Sequence, residues 1–136
     1  MKLQITILVF GLIIISIGDV YGADWTIYHF DEECLDSYDV QSMTRTSENT
    51  FRFWTRRDLT EKGIIDAVAN LGKKYKNLFR IQILMEINCK EKNFRTLSDN
   101  WYDDQGKTIS SSNRTSEWTF IPPESVMEDL YEEICK

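Results

Sequence analysis

From Phe79 to Cys89 apolar and polar residues alternate. Phe79, Ile81, Ile83, Met85 and Ile87 take the odd positions, and Arg80, Gln82, Glu86 and Asn88 take four of the five even ones, with Leu84 the exception. Period two over eleven residues predicts a half-buried strand with a polar face toward water. The apolar face, which Cys89 shares, needs a cover. The segment opening at Pro122-Pro123-Glu124 can supply one, since proline suits a first helical turn and glutamate favours the positive end of the helix dipole. Val126, Leu130 and Ile134 then repeat at i, i+4 and i+8, with Met127, Tyr131 and Cys135 in the adjacent row, so Cys135 lies on the apolar stripe of a C-terminal helix.

The same reading extends to the rest of the chain. Trp25–Phe30 is aromatic and β-branched and predicts a strand. Asp31–Ser37 reads as a polar, acidic loop that contains Cys34, Tyr38–Ser42 as a short strand, and Arg45–Asn49 as a turn. Between Thr50 and Asp58, Phe51, Phe53 and Thr55 alternate with Arg52, Trp54 and Arg56, another strand. The period then changes: Ile64, Ile65, Val68 and Leu71, between Thr60 as a cap and Gly72 as a stop, predict a short helix. Lys90–Asn93 reads as a hairpin loop, Phe94–Tyr102 as a strand and Asp103–Gly106 as a turn. Further strands are expected near Lys107–Ser111 and Glu117–Ile121, with a serine-rich loop between them. The pattern suits an α+β domain, an antiparallel β-sheet with a C-terminal α-helix packed on one face.

The N-terminus changes the compartment. Met1-Lys2 precedes an almost wholly apolar run from Ile5 to Ile17, and Val20-Tyr21-Gly22-Ala23 offers small residues for cleavage. This predicts a secretory signal peptide over residues 1–22 and a single domain over 23–136. The apolar run is about 13 residues against the roughly 20 needed to span a bilayer, so no membrane span is expected after cleavage. The 114 residues that remain carry the same net charge of −6 as the full chain, a poor match for nucleic acid or anionic lipid. Export would place the cysteines in an oxidising compartment. Cys89 and Cys135 then either bridge, closing a loop of about 45 residues worth roughly 3–4 kcal/mol in chain-entropy terms, or remain two buried thiols. Cys34 is the odd one, either free or pairing between chains.

Several stretches carry a resemblance. Ile87-Asn88-Cys89, Phe94-Arg95-Thr96-Leu97-Ser98, Trp101-Tyr102-Asp103, Gly106-Lys107, Ser110-Ser111-Ser112, Trp118, Ile121-Pro122, Ser125-Val126, Leu130-Tyr131 and Cys135 follow one another in an order that resembles the bacterial surface-adhesin protein E family, over roughly Trp25 to Cys135. The resemblance implies an antiparallel sheet whose C-terminal helix is tied to it by a disulfide, and assigns that bond to Cys89 and Cys135. It implies adhesion to host matrix and serum proteins, with haem binding also associated with the family. Its host-binding segment falls here on Tyr75, Lys76, Arg80, Gln82, Asn88, Lys90, Phe94 and Arg95. Around that segment Lys73, Lys74, Lys76, Arg80, Lys90, Lys92 and Arg95 form a run of positive charge on an acidic chain, able to dock acidic protein surfaces or to keep a solvated sheet edge from aggregating. No cysteine lies near the expected cleavage site, so a lipid anchor is not implied.

Catalytic chemistry finds little support in the residues. His29 is the single histidine, which argues against a triad with a spare base; between Tyr28 and Phe30 it reads as structural, or as a haem ligand. Asp31, Glu32, Glu33, Asp36 and Asp39 match no twelve-residue calcium loop. Asp103 and Asp104 read as turn residues, and Trp25, Trp54, Trp101 and Trp118 as strand packing. The function expected is therefore an exported, non-enzymatic binding module without a cofactor, in the periplasm or at the cell surface, whose partner is an envelope or extracellular protein. The alternatives are a soluble periplasmic envelope or stress protein with no adhesion role, and a haem-binding protein. Edge strands and Cys34 leave a homodimer open.

Overall fold

The computed structural model describes residues 22–136, and the signal peptide expected over 1–22 lies, apart from Gly22, outside the described residues. The strands are β1 (Trp25–Phe30), β2 (Cys34–Asp39), β3 (Thr44–Ser47), β4 (Thr50–Leu59), β5 (Leu78–Asn88), β6 (Asn93–Asp103), β7 (Thr108–Ser112) and β8 (Thr119–Phe120). Helix α1 (Glu61–Leu71) follows β4, and helix α2 (Val126–Ile134) ends the chain. All pairings are antiparallel, in the order β1-β2-β4-β5-β6-β7, with β3 added to β4 and β8 to β6.

The three longest strands form the middle of this sheet, and short pieces complete their outer edges. β4 gives its first residues to β3 and its last to β2, while β6 pairs with β8 at Asn93–Phe94 and with β7 from Asp99 to Tyr102. In-register pairing of Phe51 with Ile87, Phe53 with Met85 and Thr55 with Ile83 puts the odd residues of β4 and β5 on one face. On that face Tyr38, Phe53, Met85 and Ile87 pack against Leu130 and Ile134 of α2. Burying two such helix side chains contributes about 2–3 kcal/mol each, and this holds α2 to the sheet.

Two further devices fix α2. Cys89 and Cys135 are bonded, with their Cα atoms 5.5 Å apart, and the Tyr131 hydroxyl donates to the Cys89 carbonyl at 2.9 Å. The bond ties the C-terminal helix to the end of β5, as the family resemblance implied. At the other end of α2, the Ser125 hydroxyl accepts from the Glu128 amide while the Glu128 carboxylate accepts from the Glu124 amide, a reciprocal cap. Helix α1 starts at Thr60, whose hydroxyl accepts from the Gly63 amide, and stops at Gly72 with φ +109°. That is the cap and the stop the sequence predicts.

The structure corrects the local reading at several points. Cys34–Ser37 is not loop but the start of β2, because Cys34, Asp36 and Tyr38 turn inward opposite Leu59, Arg57 and Thr55 of β4. Cys34 is free but buried, which removes it from pairing between chains. Val40–Ser42 is a 3₁₀ turn rather than strand, capped by the Asp39 carboxylate, and Thr44–Ser47 is a strand rather than a turn. Helix α2 begins after Ser125, not at the prolines; Glu124 sits at φ +58° outside it, and its first-turn acids are Glu128 and Asp129. In β5 the alternation slips by one residue. A bulge between Leu78 and Arg80 buries Leu78 and leaves Phe79 exposed on the same side as Arg80.

Candidate functional site

Both faces of the sheet carry features that a partner could use. The helix-bearing face holds two cavities of about 290 Å³ each, one against α1 and one against α2, which share Arg57, Ile81 and Trp101. Their floor is an ion pair: Arg57 donates from Nε and Nη2 to the two carboxylate oxygens of Asp36, at 2.7 and 2.9 Å. Asp36 is buried, and as the acceptor of both hydrogen bonds it raises the Arg57 guanidinium further above its ordinary value. Beside it the Cys34 thiol lies 3.7 Å from Asp36 and is pushed up to about 11 by burial, which Arg57 offsets only in part. Burial, followed by the charge of Asp36, likewise raises the Tyr28 phenol. These groups sit paired or protonated at neutral pH, so the cavity floor offers no activated nucleophile.

The opposite face has a different character. No helix among the described residues packs on it. It is built from the even positions of β4 and β5 with their partners on β6. Arg52 lies across from Glu86, which lies across from Arg95, and Asp58 lies across from Arg80. Glu86, which the alternation pattern would turn to water, is 2 % exposed. It is buried by its neighbours: Arg52 donates to Oε1 at 2.8 Å and Arg95 to Oε2 at 2.7 Å. Burial would raise this carboxyl, but the hydrogen bonds from Arg95 and Arg52 outweigh it and hold Glu86 below its ordinary range. Further along the same face, beyond the Trp54–Leu84 and Arg56–Gln82 pairs, Arg80 donates to Asp58 at 2.6 Å, with Arg56 3.1 Å from the other Asp58 oxygen.

Aromatic rings frame these arginines. Arg56 lies 4.5 Å from the Trp25 ring centre, Arg95 4.6 Å from Trp118 and Arg80 5.3 Å from Phe79. Such contacts fix a guanidinium in place and leave its outer edge accessible. Trp118 and Phe120 are exposed, the latter by 60 %. At the far end of the same face Phe79, Arg80, Gln82, Tyr102, Asp103, Asp104 and Gly106 line a concavity of about 330 Å³.

The structure separates the residues that the family resemblance brought together. Arg80, Gln82, Asn88 and Arg95 share the open face. Tyr75 and Phe94 turn the other way: Tyr75 lies against Trp101, 5.3 Å between ring centres, and Phe94 packs under α2. Lys76 and Lys90 sit in the turns at opposite ends of β5, roughly 30 Å apart for a strand of this length. The positive run therefore does not form one cluster. Lys73, Lys74 and Lys76 lie before β5; Lys90 and Lys92 lie beyond it, with Lys92 paired to Glu128 at 2.7 Å. The host-binding segment that the resemblance implied leaves out Arg52, Arg56, Trp25, Trp118 and Phe120. One signal for them is in the sequence: β4, β5 and β6 together carry five arginines and no lysine.

Among the described residues no group of three or more histidine, cysteine or acidic side chains is placed to hold a metal ion. His29 is 3.1 Å from Asp31 and 3.4 Å from Asp129, bridging β1 to α2. Among those residues, too, no helix is long and apolar enough to cross a membrane. No curated protein and no solved structure matches the chain. A family model does: surface-adhesin protein E matches residues 25–136, the whole of the sheet and both helices, and the chain belongs to that family.

Proposed function

We propose that this protein is an exported, non-enzymatic binding module that holds a protein partner, at the cell envelope or outside it, against the open face of its sheet. The observation that carries this reading is the set of arginines on that face, each held by a carboxylate and three of them also by an aromatic ring. Arginine, tryptophan and tyrosine dominate the centres of protein interfaces because they bury large areas at little conformational cost. Here that cost is met in the fold itself. Arg80, Gln82, Asn88 and Arg95 are the contact residues along it, with Trp118 and Phe120 beside them; Tyr75, Lys76, Lys90 and Phe94 act through position at the ends of β5. Family membership supports the adhesin-like role.

The experiment is surface binding of purified extracellular-matrix and serum proteins, and of separated envelope proteins from the producing cell, to the wild-type domain and to an Arg95→Gln/Trp118→Ala variant. Saturable binding that the variant loses at least tenfold supports the reading; binding that the variant retains places the site elsewhere. Intact mass of the protein from the producing cell tests export. A chain starting near Ala23 supports it, and a retained N-terminus overturns it.

A further inference from the structure

Resting on the assignment of the open face as the binding face, we propose that it recognises an extended acidic segment of a protein, whose carboxylates meet two arginine rows four to six residues apart. One row is Arg52 with Arg95 around Glu86, and the other is Arg56 with Arg80 around Asp58.

Charge is the first argument. The chain carries −6 overall, yet on this face of β4, β5 and β6 four guanidinium groups stand against two carboxylates, Asp58 and Glu86. The acidic excess lies elsewhere, on α2 and in the segment before β2. Residue type is the second argument. The chain has nine lysines, and none lies on these three strands. A strand that needed only solubility would accept either cation; a planar fork of donors matches a carboxylate. The third is the donors left over. Arg52 gives Nε and Nη2 to Glu86, and Arg95 gives Nε with its Nη2 2.7 Å from the same oxygen; each guanidinium has five N–H groups. At least three per side chain remain, and Arg52 is 43 % exposed.

Spacing then selects the form of the partner. Arg52 and Arg56 are four residues apart on β4, and Glu86 and Arg80 six on β5, about 13–20 Å at 3.3 Å per residue. An extended peptide covers the same distance in four to six residues, and an even separation keeps both carboxylates on one side of it. Glu86 and Asp58 sit at the middle of each row, so a continuous polyanion would meet a repelling charge within each row, whereas separated carboxylates would not. The concavity beyond Arg80 is flanked by Asp103 and Asp104, which suits it to an apolar side chain next to the acidic one, packed on Phe79 and Tyr102.

The test is fluorescence anisotropy with the folded domain and labelled twelve-residue peptides. One carries two glutamate pairs six residues apart, one carries the pairs three apart, and one has lysine for glutamate. The expected result is salt-sensitive binding of the first peptide, weakened about five-fold by Arg95→Gln and by Arg80→Gln, unchanged by Lys74→Gln, and only partly restored by Arg95→Lys. Equal binding of the three-apart or the lysine peptide, or indifference to both arginine variants, would overturn the proposal. Preference for a heparin fragment or for vesicles of anionic lipid would overturn it in favour of that surface. If the acidic peptides fail while a purified protein partner still binds in a Trp118-dependent way, the face stands and its acidic specificity falls. If that partner also ignores the Arg95→Gln/Trp118→Ala change, the face itself falls.

Discussion

The Tyr131 hydroxyl donates to the carbonyl of Cys89 at 2.9 Å, one helical turn before Cys135 closes a covalent bond to the same residue. Helix α2 is thus pinned at one point of the sheet twice, and by Leu130 and Ile134 along its length. The bond spans a sequence separation of 46, worth roughly 2–4 kcal/mol through the unfolded chain. A Cys89→Ser/Cys135→Ser protein should lose that much in urea denaturation and keep its far-ultraviolet dichroism, since the packing remains. Reductant should lower the wild-type midpoint and leave the variant's unchanged. Tyr131→Phe should cost about 1 kcal/mol. A variant as stable as the wild type would show that the bond only decorates a helix already held.

Glu86 gives the fold an acid limit. Its carboxyl titrates below its ordinary value, against burial, because Arg95 and Arg52 hold the charged form. The unfolded chain therefore takes up this proton first. The stabilisation is complete above the unfolded value near 4.5 and is lost as pH falls through the lower folded value. Urea midpoints measured from pH 7 to pH 3 should decline below about 4.5, and Glu86→Gln should flatten that decline while lowering stability at pH 7 by about 1–3 kcal/mol. Some slope should persist from Glu128, which its hydrogen bond from Lys92 also holds low.

How much of this was legible depended on whether a residue's neighbours lay nearby in sequence. Thr60 and Gly72 bound α1 through local backbone chemistry, and both were readable. The Phe51–Phe53–Thr55 alternation was readable for the same reason. Cys34–Ser37 was not, since its acidic flanks look like a loop until Arg57 on another strand neutralises Asp36. Glu86 was hidden likewise: a glutamate in an even position reads as solvated unless two arginines from separate strands are known to enclose it. Phe79 misled because a bulge leaves no mark in the composition of its own strand. The open face suffered most. Its arginines come from β4, β5 and β6, and Trp118 reaches Arg95 from a loop more than twenty residues later, so no window along the chain contains the site.

Asp36 and Arg57 should respond unequally to removal. Asp36 is 1 % exposed, whereas the Arg57 side chain is 44 % exposed. Arg57→Ala strands a buried carboxylate, with a cost of about 3–5 kcal/mol at neutral pH. Asp36→Ala leaves a guanidinium that can turn to water, and should cost less. Equal losses for the two variants in urea denaturation would contradict this asymmetry.

Cys34 should be chemically silent in the folded protein. It is 6 % exposed, and burial pushes its thiol up to about 11. At pH 8 roughly one molecule in a thousand would carry the thiolate that reacts. Iodoacetamide at that pH should modify Cys34 only in denaturant, and non-reducing electrophoresis of the native protein should show no Cys34-linked dimer. Rapid labelling without denaturant would place this end of β2 in a locally open state.

Gly63 is the position where helix propensity should predict the wrong sign. Glycine within α1 costs about 1 kcal/mol relative to alanine by propensity alone, so Gly63→Ala would be expected to stabilise. The Glu33 carbonyl oxygen, however, lies 2.1 Å from where a Cβ would stand, with its carbon at 3.1 Å. The obstacle is backbone, and it is not free to withdraw, since the same oxygen accepts from the Thr60 amide at 2.9 Å while the Thr60 hydroxyl donates to the Glu32 carbonyl. Making room means separating the first turn of α1 from the segment before β2. Gly63→Ala should therefore destabilise by about 1–3 kcal/mol. Ala67→Gly, in the same helix with no such approach, should lose only about 1 kcal/mol. A Gly63→Ala protein that melts higher than the wild type would mean that this junction is looser than its hydrogen bonds require.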